Sequence, residues 1–351
     1  MSKAETYRAA YEATRKKVGG AVRTKKEQFL GRRPHRSFQL TRRRDYQRTL
    51  KIPGFFAFTA YVHRTLWRYR NVFLGLIVVY TLLSGILLGI SSQESFSSLS
   101  QAVDEINQGV SGGGLSALGD AALLLGATLI NIGSSSEANP TQQIYAVIIG
   151  LLVWLTTVWL LRNMLAGRAV KLRDAVYNAG APIISTFVVM FVLVLQLIPI
   201  AIAAMAYVAA VNTGLLDNGV HAMLFWIAAV LLVTLSLYWT ISSALALVVV
   251  TLPGMYPLRA LSIAADMVVG RRIRLLLRVL WLGLVVVVAW AVTLLPLIVF
   301  DGFLKDMIPA ISWLPLIPIA LVVVSCLTVV WSASYVYLLY RKVVDDDAPS
   351  A

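Results

Sequence analysis

The sequence predicts an all-α, polytopic integral membrane protein with six transmembrane helices, both termini on the cytoplasmic side, and interfacial amphipathic helices beside the spans. Three observations predict it. Hydrophobic residues make up 58% of the 351, against about 45–50% in soluble domains. Six apolar runs approach or exceed the ~20 residues that cross a hydrocarbon core, at roughly 71–90, 144–161, 182–211, 223–252, 275–300 and 313–340. Under that topology 30 of the 31 Lys and Arg fall on one side, leaving only Lys305 on the other. Such a bias sets orientation. The outer segments instead carry Glu94, Asp104, Glu105, Asp120, Glu137, Asp217, Asp301 and Asp306.

Residues 1–52 form a basic cytoplasmic N-terminal region. Ser2 and Glu5 fit a capping box, and Tyr7, Ala10, Tyr11 and Val18 share a face, so a helix is expected over residues 1–30. From Gly31 to Lys51 arginine dominates and the periodicity fails, predicting an extended, partly disordered segment. Because the first 50 residues are polar and basic, the first span is expected to be an uncleaved anchor. Residues 53–70 interleave Phe55, Phe56, Phe58, Tyr61, Trp67 and Tyr69 with His63, Arg64, Arg68 and Arg70. Aromatic side chains favour the headgroup level and arginines snorkel to it, so this reads as an interfacial helix.

The transmembrane domain covers residues 71–340, with an outer loop at 91–143, and residues 341–351 form a cytoplasmic tail. Within the loop, residues 115–132 are an apolar run interrupted by Asp120. A crossing there would reverse the Lys/Arg bias of every later loop, so an outer-face or re-entrant helix is expected. The stretch from Pro253 to Arg278 organises the cytoplasmic face. It opens on a Pro-Gly-Met-Tyr-Pro turn, continues with Leu258, Leu261, Ala265 and Val268 at helical spacing, and passes Gly270 into Arg271, Arg272, Arg274 and Arg278. An earlier echo, residues 161–180, carries Gly167 and Arg168 just after an apolar run. The pentapeptide at 197–201 recurs at 316–320, which would fit a duplicated three-helix unit.

The net charge of +14 points to anionic partners. The basic clusters, Arg42, Arg43 and Arg44 among them, could meet lipid head groups, a protein partner or nucleic acid. The aromatics lie next to the bilayer rather than among the basic clusters, which favours the lipid surface or a plain topology signal over nucleic acid. Candidate anionic-lipid contacts are therefore Arg168, Lys171, Arg173, Arg271, Arg272, Arg274 and Arg278, with Arg42, Arg43 and Arg44. A second candidate is an intramembrane polar path: Gln196 in the third span, Ser236, Thr240 and Ser243 in the fourth, Ser325 and Thr328 in the sixth. Polar groups in lipid are costly and mark functional sites, but hydroxyls also serve helix packing and bond back to their own carbonyls.

Signals for chemistry are absent. His35, His63 and His221 fall in separate segments with no second ligand at metal spacing, and Cys326 is the single cysteine. No glycine-rich phosphate loop, nucleophile elbow or paired carboxylates in an apolar setting occurs. No cofactor and no enzymatic activity are expected.

The segment Leu258-Arg259-Ala260-Leu261-Ser262 followed by Val269-Gly270-Arg271-Arg272 and a new span resembles one found in a diverse bacterial set. That set includes the membrane domain of some glycerophosphoryl diester phosphodiesterases and the YciC-like six-span proteins. Ala166-Gly167-Arg168 with Leu172-Arg173-Asp174-Ala175 is similar to the group's first cytoplasmic loop. The likeness covers residues 140–340, and it departs from the group where Met255-Tyr256-Pro257 replaces an acidic residue. It implies architecture; no phosphodiesterase domain follows, so that activity is not expected.

The expectation is thus a non-enzymatic, lipid-associated scaffold or accessory protein of the inner cell membrane, working at the bilayer and its anionic head groups, with a protein partner conceivable at the basic N-terminal region. The alternative is a transporter or channel subunit with a polar path between the third, fourth and sixth spans.

Overall fold

A computed structural model describes residues 52–88, 140–217, 219–307 and 316–347. The N-terminal basic region with Arg42, Arg43 and Arg44, and the outer-loop run at 115–132, lie outside these residues. The described residues form nine α-helices and one 3-10 turn, with no strand among them: α1 Phe55–Arg68, α2 Arg70–Leu88, α3 Pro140–Leu165, α4 Leu172–Ala179, α5 Ile183–Asn212, α6 Gly219–Val249, α7 Pro257–Val268, α8 Arg272–Met307 and α9 Leu316–Asp347. The 3-10 turn is Leu215–Asp217, between α5 and α6. Six helices, α2, α3, α5, α6, α8 and α9, are long and apolar enough to cross a membrane. The chain is a multi-pass membrane protein. Two compact units are distinguished: the large one comprises residues 50–267 and 273–351, and the Gly-Arg turn 268–272 belongs to the other.

Helices α5, α6, α8 and α9 run to 30, 31, 36 and 32 residues. That exceeds the ~20 a bilayer needs, so they tilt or extend into the interface. α9 carries on through Arg341 to Asp347, into what sequence reading assigned to the tail.

The interior centres on α2, α3 and α9. Phe73, Leu76 and Ile77 of α2, Val153, Leu155, Val158, Leu160 and Leu161 of α3, and Val330, Ala333 and residues 335–339 of α9 are all buried. The Tyr80 hydroxyl is hydrogen-bonded to Thr156 Oγ1 at 2.9 Å, tying α2 to α3. α5 and α6 form an antiparallel hairpin closed by Thr213, Gly214 and the 3-10 turn. Near the turn Tyr207, Phe225 and Trp226 cluster with ring centroids 5.5 to 6.3 Å apart. The buried residues of α6 lie almost all in its C-terminal half, from Ser236 to Val249, and the remainder of the hairpin exposes apolar side chains suited to lipid.

α8 is linked to its neighbours by long side chains. Trp281 Nε1 donates to Thr59 Oγ1 of α1 at 3.0 Å, and Trp290 Nε1 to Thr328 Oγ1 of α9 at 2.8 Å. Towards its far end Leu294 joins Ile317 and Leu321 of α9 in a small apolar cluster, with Trp290 against it.

Glycines place the joints at one end of the bundle. Gly167 closes α3 with φ +76°; its N–H bonds the Met164 carbonyl and the Arg168 N–H bonds the Asn163 carbonyl. This double bond pattern is a Schellman motif, which needs a left-handed residue. At Gly75 of α2 an added Cβ would lie 3.3 Å from Leu172 Cδ2, so the missing side chain lets α4 approach α2 closely. The pentapeptide echo sits at different depths, mid-helix in α5 around Pro199 and at the start of α9 around Pro318. In α7 the fully buried positions are Ala260, Ala264 and Val268, whereas Leu258 is exposed. The buried stripe of α7 is thus rotated from the leucine stripe that spacing suggested, and small alanines occupy it.

Candidate functional site

Antiparallel neighbours bring the start of α2, the end of α3, α4, the end of α6 and the end of α9 to one end of the large unit. Tyr80 bonding Thr156 and Gly75 meeting Leu172 align α2, α3 and α4; Arg162 Nη1, donating to the Thr251 carbonyl at 2.9 Å, ties the end of α3 to the turn after α6. The described basic residues of the large unit gather here, Lys305 excepted. Lys305 lies 27 residues along α8 from Arg278, roughly 40 Å at the helical rise.

This end carries exposed cations beside exposed aromatics. On α1, Phe58, Val62 and Thr65 face inward at i, i+4 and i+7, leaving Phe56, Tyr61, His63, Arg64, Trp67 and Arg68 outward. Arg70 stacks over Trp67 at 5.4 Å and Lys342 lies 5.9 Å from the Tyr61 ring. α4 buries Ala175 and Ala179 and exposes Val176 and Tyr177. Arg168 and Lys171 precede it and Arg173 stands in its first turn, all exposed. Arg168 Nη1 donates to Asn163 Oδ1 at 3.3 Å, and Arg173 approaches Asp174 at 3.9 Å, a contact worth little in solvent.

Arg278 differs from these. Its side chain is only 8% exposed, although it stands in the second turn of a span. Nη2 donates to the carbonyl of Pro53, just ahead of α1. The guanidinium lies 4.3 Å from the ring centroid of Phe55 and 5.7 Å from that of Phe58. Tyr335 packs edge-on against Phe58 with centroids 4.8 Å apart, and its hydroxyl is directed to the same guanidinium. Neither Arg278 Nη1 nor the Tyr335 hydroxyl completes a hydrogen bond. No carboxylate of the described residues pairs with Arg278. Cation–π contacts of ~0.5–2 kcal/mol offset only part of the several kcal/mol that a buried, unpaired charge costs.

The other sequence-predicted basic positions divide. Arg274 is exposed, Arg272 half-buried and Arg271 buried; the last two belong to the separate unit.

The six polar-path residues fall into two groups. Gln196, Ser236, Thr240 and Ser243 meet across the α5–α6 hairpin. Ser236 Oγ donates to the Gln196 carbonyl at 2.5 Å, Ser243 Oγ to Gln196 Oε1 at 2.7 Å, and Thr240 Oγ1 to the Ser236 carbonyl at 2.8 Å. Ser325 and Thr328 lie on α9 and donate to the Val322 and Val324 carbonyls, Thr328 also accepting from Trp290. Each of these hydroxyls is thus spent on a helix partner.

Sequence reading passed over Arg162, Tyr335 and Thr59. Arg162 ends an apolar run and looks like one more topology arginine, and Tyr335 looks like span filler; only the fold brings each to its partner. Cys326 likewise lies against the Thr81 and Ser84 hydroxyls of α2. Among the described residues no three His, Cys, Asp or Glu side chains converge as metal ligands would.

No protein-family model, curated protein or solved structure matches this chain.

Proposed function

We propose that the chain is a non-enzymatic, lipid-associated protein of the cell membrane, with both termini cytoplasmic, whose basic end holds anionic lipid head groups. The observation that carries this reading is the sharing of one surface by exposed cations and exposed aromatics: Arg168, Lys171 and Arg173 around α4 with Tyr177, and Arg64, Arg68 and Arg70 on and beside α1 with Phe56 and Trp67. Exposed aromatics beside cations suit a surface at headgroup depth. Each cation there is worth about 1 kcal/mol towards an anionic leaflet. The positive-inside bias makes this the cytoplasmic side. A scaffold or accessory role suits a surface built for binding.

A transporter or channel subunit is the second reading, favoured by Gln196 lying inside a membrane hairpin. The saturation of the hydroxyls by helix carbonyls weighs against it, because a conducting path needs polar groups open to the solute.

The test is native mass spectrometry of the full chain after incubation with equal amounts of anionic and zwitterionic phospholipid. The anionic lipid is expected to be retained in preference, and replacing Arg168, Lys171 and Arg173 together by Gln should cut that preference severalfold. Equal retention of both lipids by the wild-type chain would sink the reading.

A further inference from the structure

We propose that the N-terminus of α1, with Arg278 and Tyr335, is a seat for a phosphate-bearing anion. The proposal rests on the lipid-associated reading above and names where a head group would be held.

A helix start presents N–H groups with no intrahelical acceptor and the positive end of the peptide dipoles. α1 is 14 residues long, its N-cap is Gly54, no side chain caps it, and its first turn holds no acidic residue. The N–H groups of Phe55, Phe56 and Ala57 are therefore left for an external acceptor. That alone would be commonplace. The second observation is Arg278, more than nine-tenths buried and brought to this helix start by its bond to Pro53, the residue before the N-cap. Its Nη1 has no acceptor at hydrogen-bond geometry, and the Tyr335 hydroxyl, whose oxygen faces the guanidinium, has no acceptor for its own proton.

Three kinds of donor thus lie at this helix start with hydrogens left over: the backbone N–H groups, Arg278 Nη1 and the Tyr335 phenol. A phosphate, with several oxygens around one centre, can accept from all three, and helix starts bind such anions. A carboxylate has only two oxygens for the same donors. Gly54 and Phe55 are exposed, so the seat opens at the rim of the bundle. Phe55 lies over the guanidinium, 4.3 Å from ring centroid to Cζ, so an anion reaching Nη1 requires that exposed ring to turn aside.

The experiment titrates the full chain in neutral detergent with dioctanoyl phosphatidylglycerol, dioctanoyl phosphatidylcholine and inorganic phosphate, reading affinity and amide exchange over residues 54–58. The glycerol lipid is expected to bind and to protect the Phe55–Ala57 amides. Arg278→Gln should weaken it by about tenfold or more and Tyr335→Phe by about threefold to tenfold, the range for removing one charged and one neutral hydrogen bond. If Arg278→Gln fails to fold, Tyr335→Phe removes a single oxygen and carries the test. Inorganic phosphate binding with the same dependence on both residues would support the seat and assign it to free phosphate. Anionic lipid bound equally by wild type and both seat variants overturns the seat and leaves the wider basic rim standing. Equal binding of the two lipids by the wild-type chain overturns both.

Discussion

Gln196 and Ser243 are joined across the α5–α6 hairpin, with the serine hydroxyl donating to the glutamine side-chain oxygen at 2.7 Å. The same glutamine takes the Ser236 hydroxyl on its backbone carbonyl at 2.5 Å. Pro199, three residues on, has no N–H for the Leu195 carbonyl, so this turn of α5 lacks one donor, and the Ser236 hydroxyl of α6 bonds the neighbouring carbonyl, that of Gln196.

Replacing Gln196 by Leu should leave the Ser236 bond intact and orphan the Ser243 hydroxyl. The expected cost is ~1 kcal/mol, the usual scale for interhelical bonds in membranes. Ser243→Ala should cost about as much alone and almost nothing in the Gln196→Leu background. A double-mutant cycle of unfolding in mixed micelles measures this, and strictly additive losses would show that the two side chains are not coupled.

Gly75 and Leu172 make a second test. A Cβ at residue 75 would meet Leu172 Cδ2 at 3.3 Å. Ala should be nearly tolerated, since the leucine tip can give way, whereas Leu should push α4 off α2. Amide exchange over residues 172–179 is expected to rise in Gly75→Leu and to recover in part on adding Leu172→Ala. Unchanged exchange in Gly75→Leu would mean that α4 is not held by this approach.

A third prediction concerns Gly167, whose φ of +76° is costly for a residue with a Cβ. Gly167→Ala should lose about 1 kcal/mol of stability, with Asn intermediate because it tolerates the left-handed region. Thermal unfolding in detergent should therefore rank Gly above Asn above Ala. An alanine variant as stable as the wild type would contradict the Schellman closure of α3.

The spans were legible because apolar length is a property of the chain itself: lipid demands about 20 uninterrupted apolar residues whatever packs against them. The helix Phe55–Arg68 was legible for a similar reason, its inward positions Phe58, Val62 and Thr65 recurring along the chain at helical spacing. The polar path was legible only as residue types. Hydropathy spacing put Thr240 and Thr328 in one class, and both turn back to a carbonyl of their own helix, yet Thr328 also accepts from Trp290 of another helix.

By itself, the sequence determined the all-helical class, the six spans and the gathering of positive charge towards one side, because these depend on composition and length along the chain. The tertiary structure alone decided which arginines stay exposed and which, Arg271 and Arg278, are withdrawn. Arg173 and Arg278 both sit beside apolar runs, but Arg173 remains in solvent on α4. Arg278 is buried because a carbonyl and two rings, all more than 200 residues earlier in the chain, come together around it. Charge burial depends on such distant partners, and no local pattern encodes them.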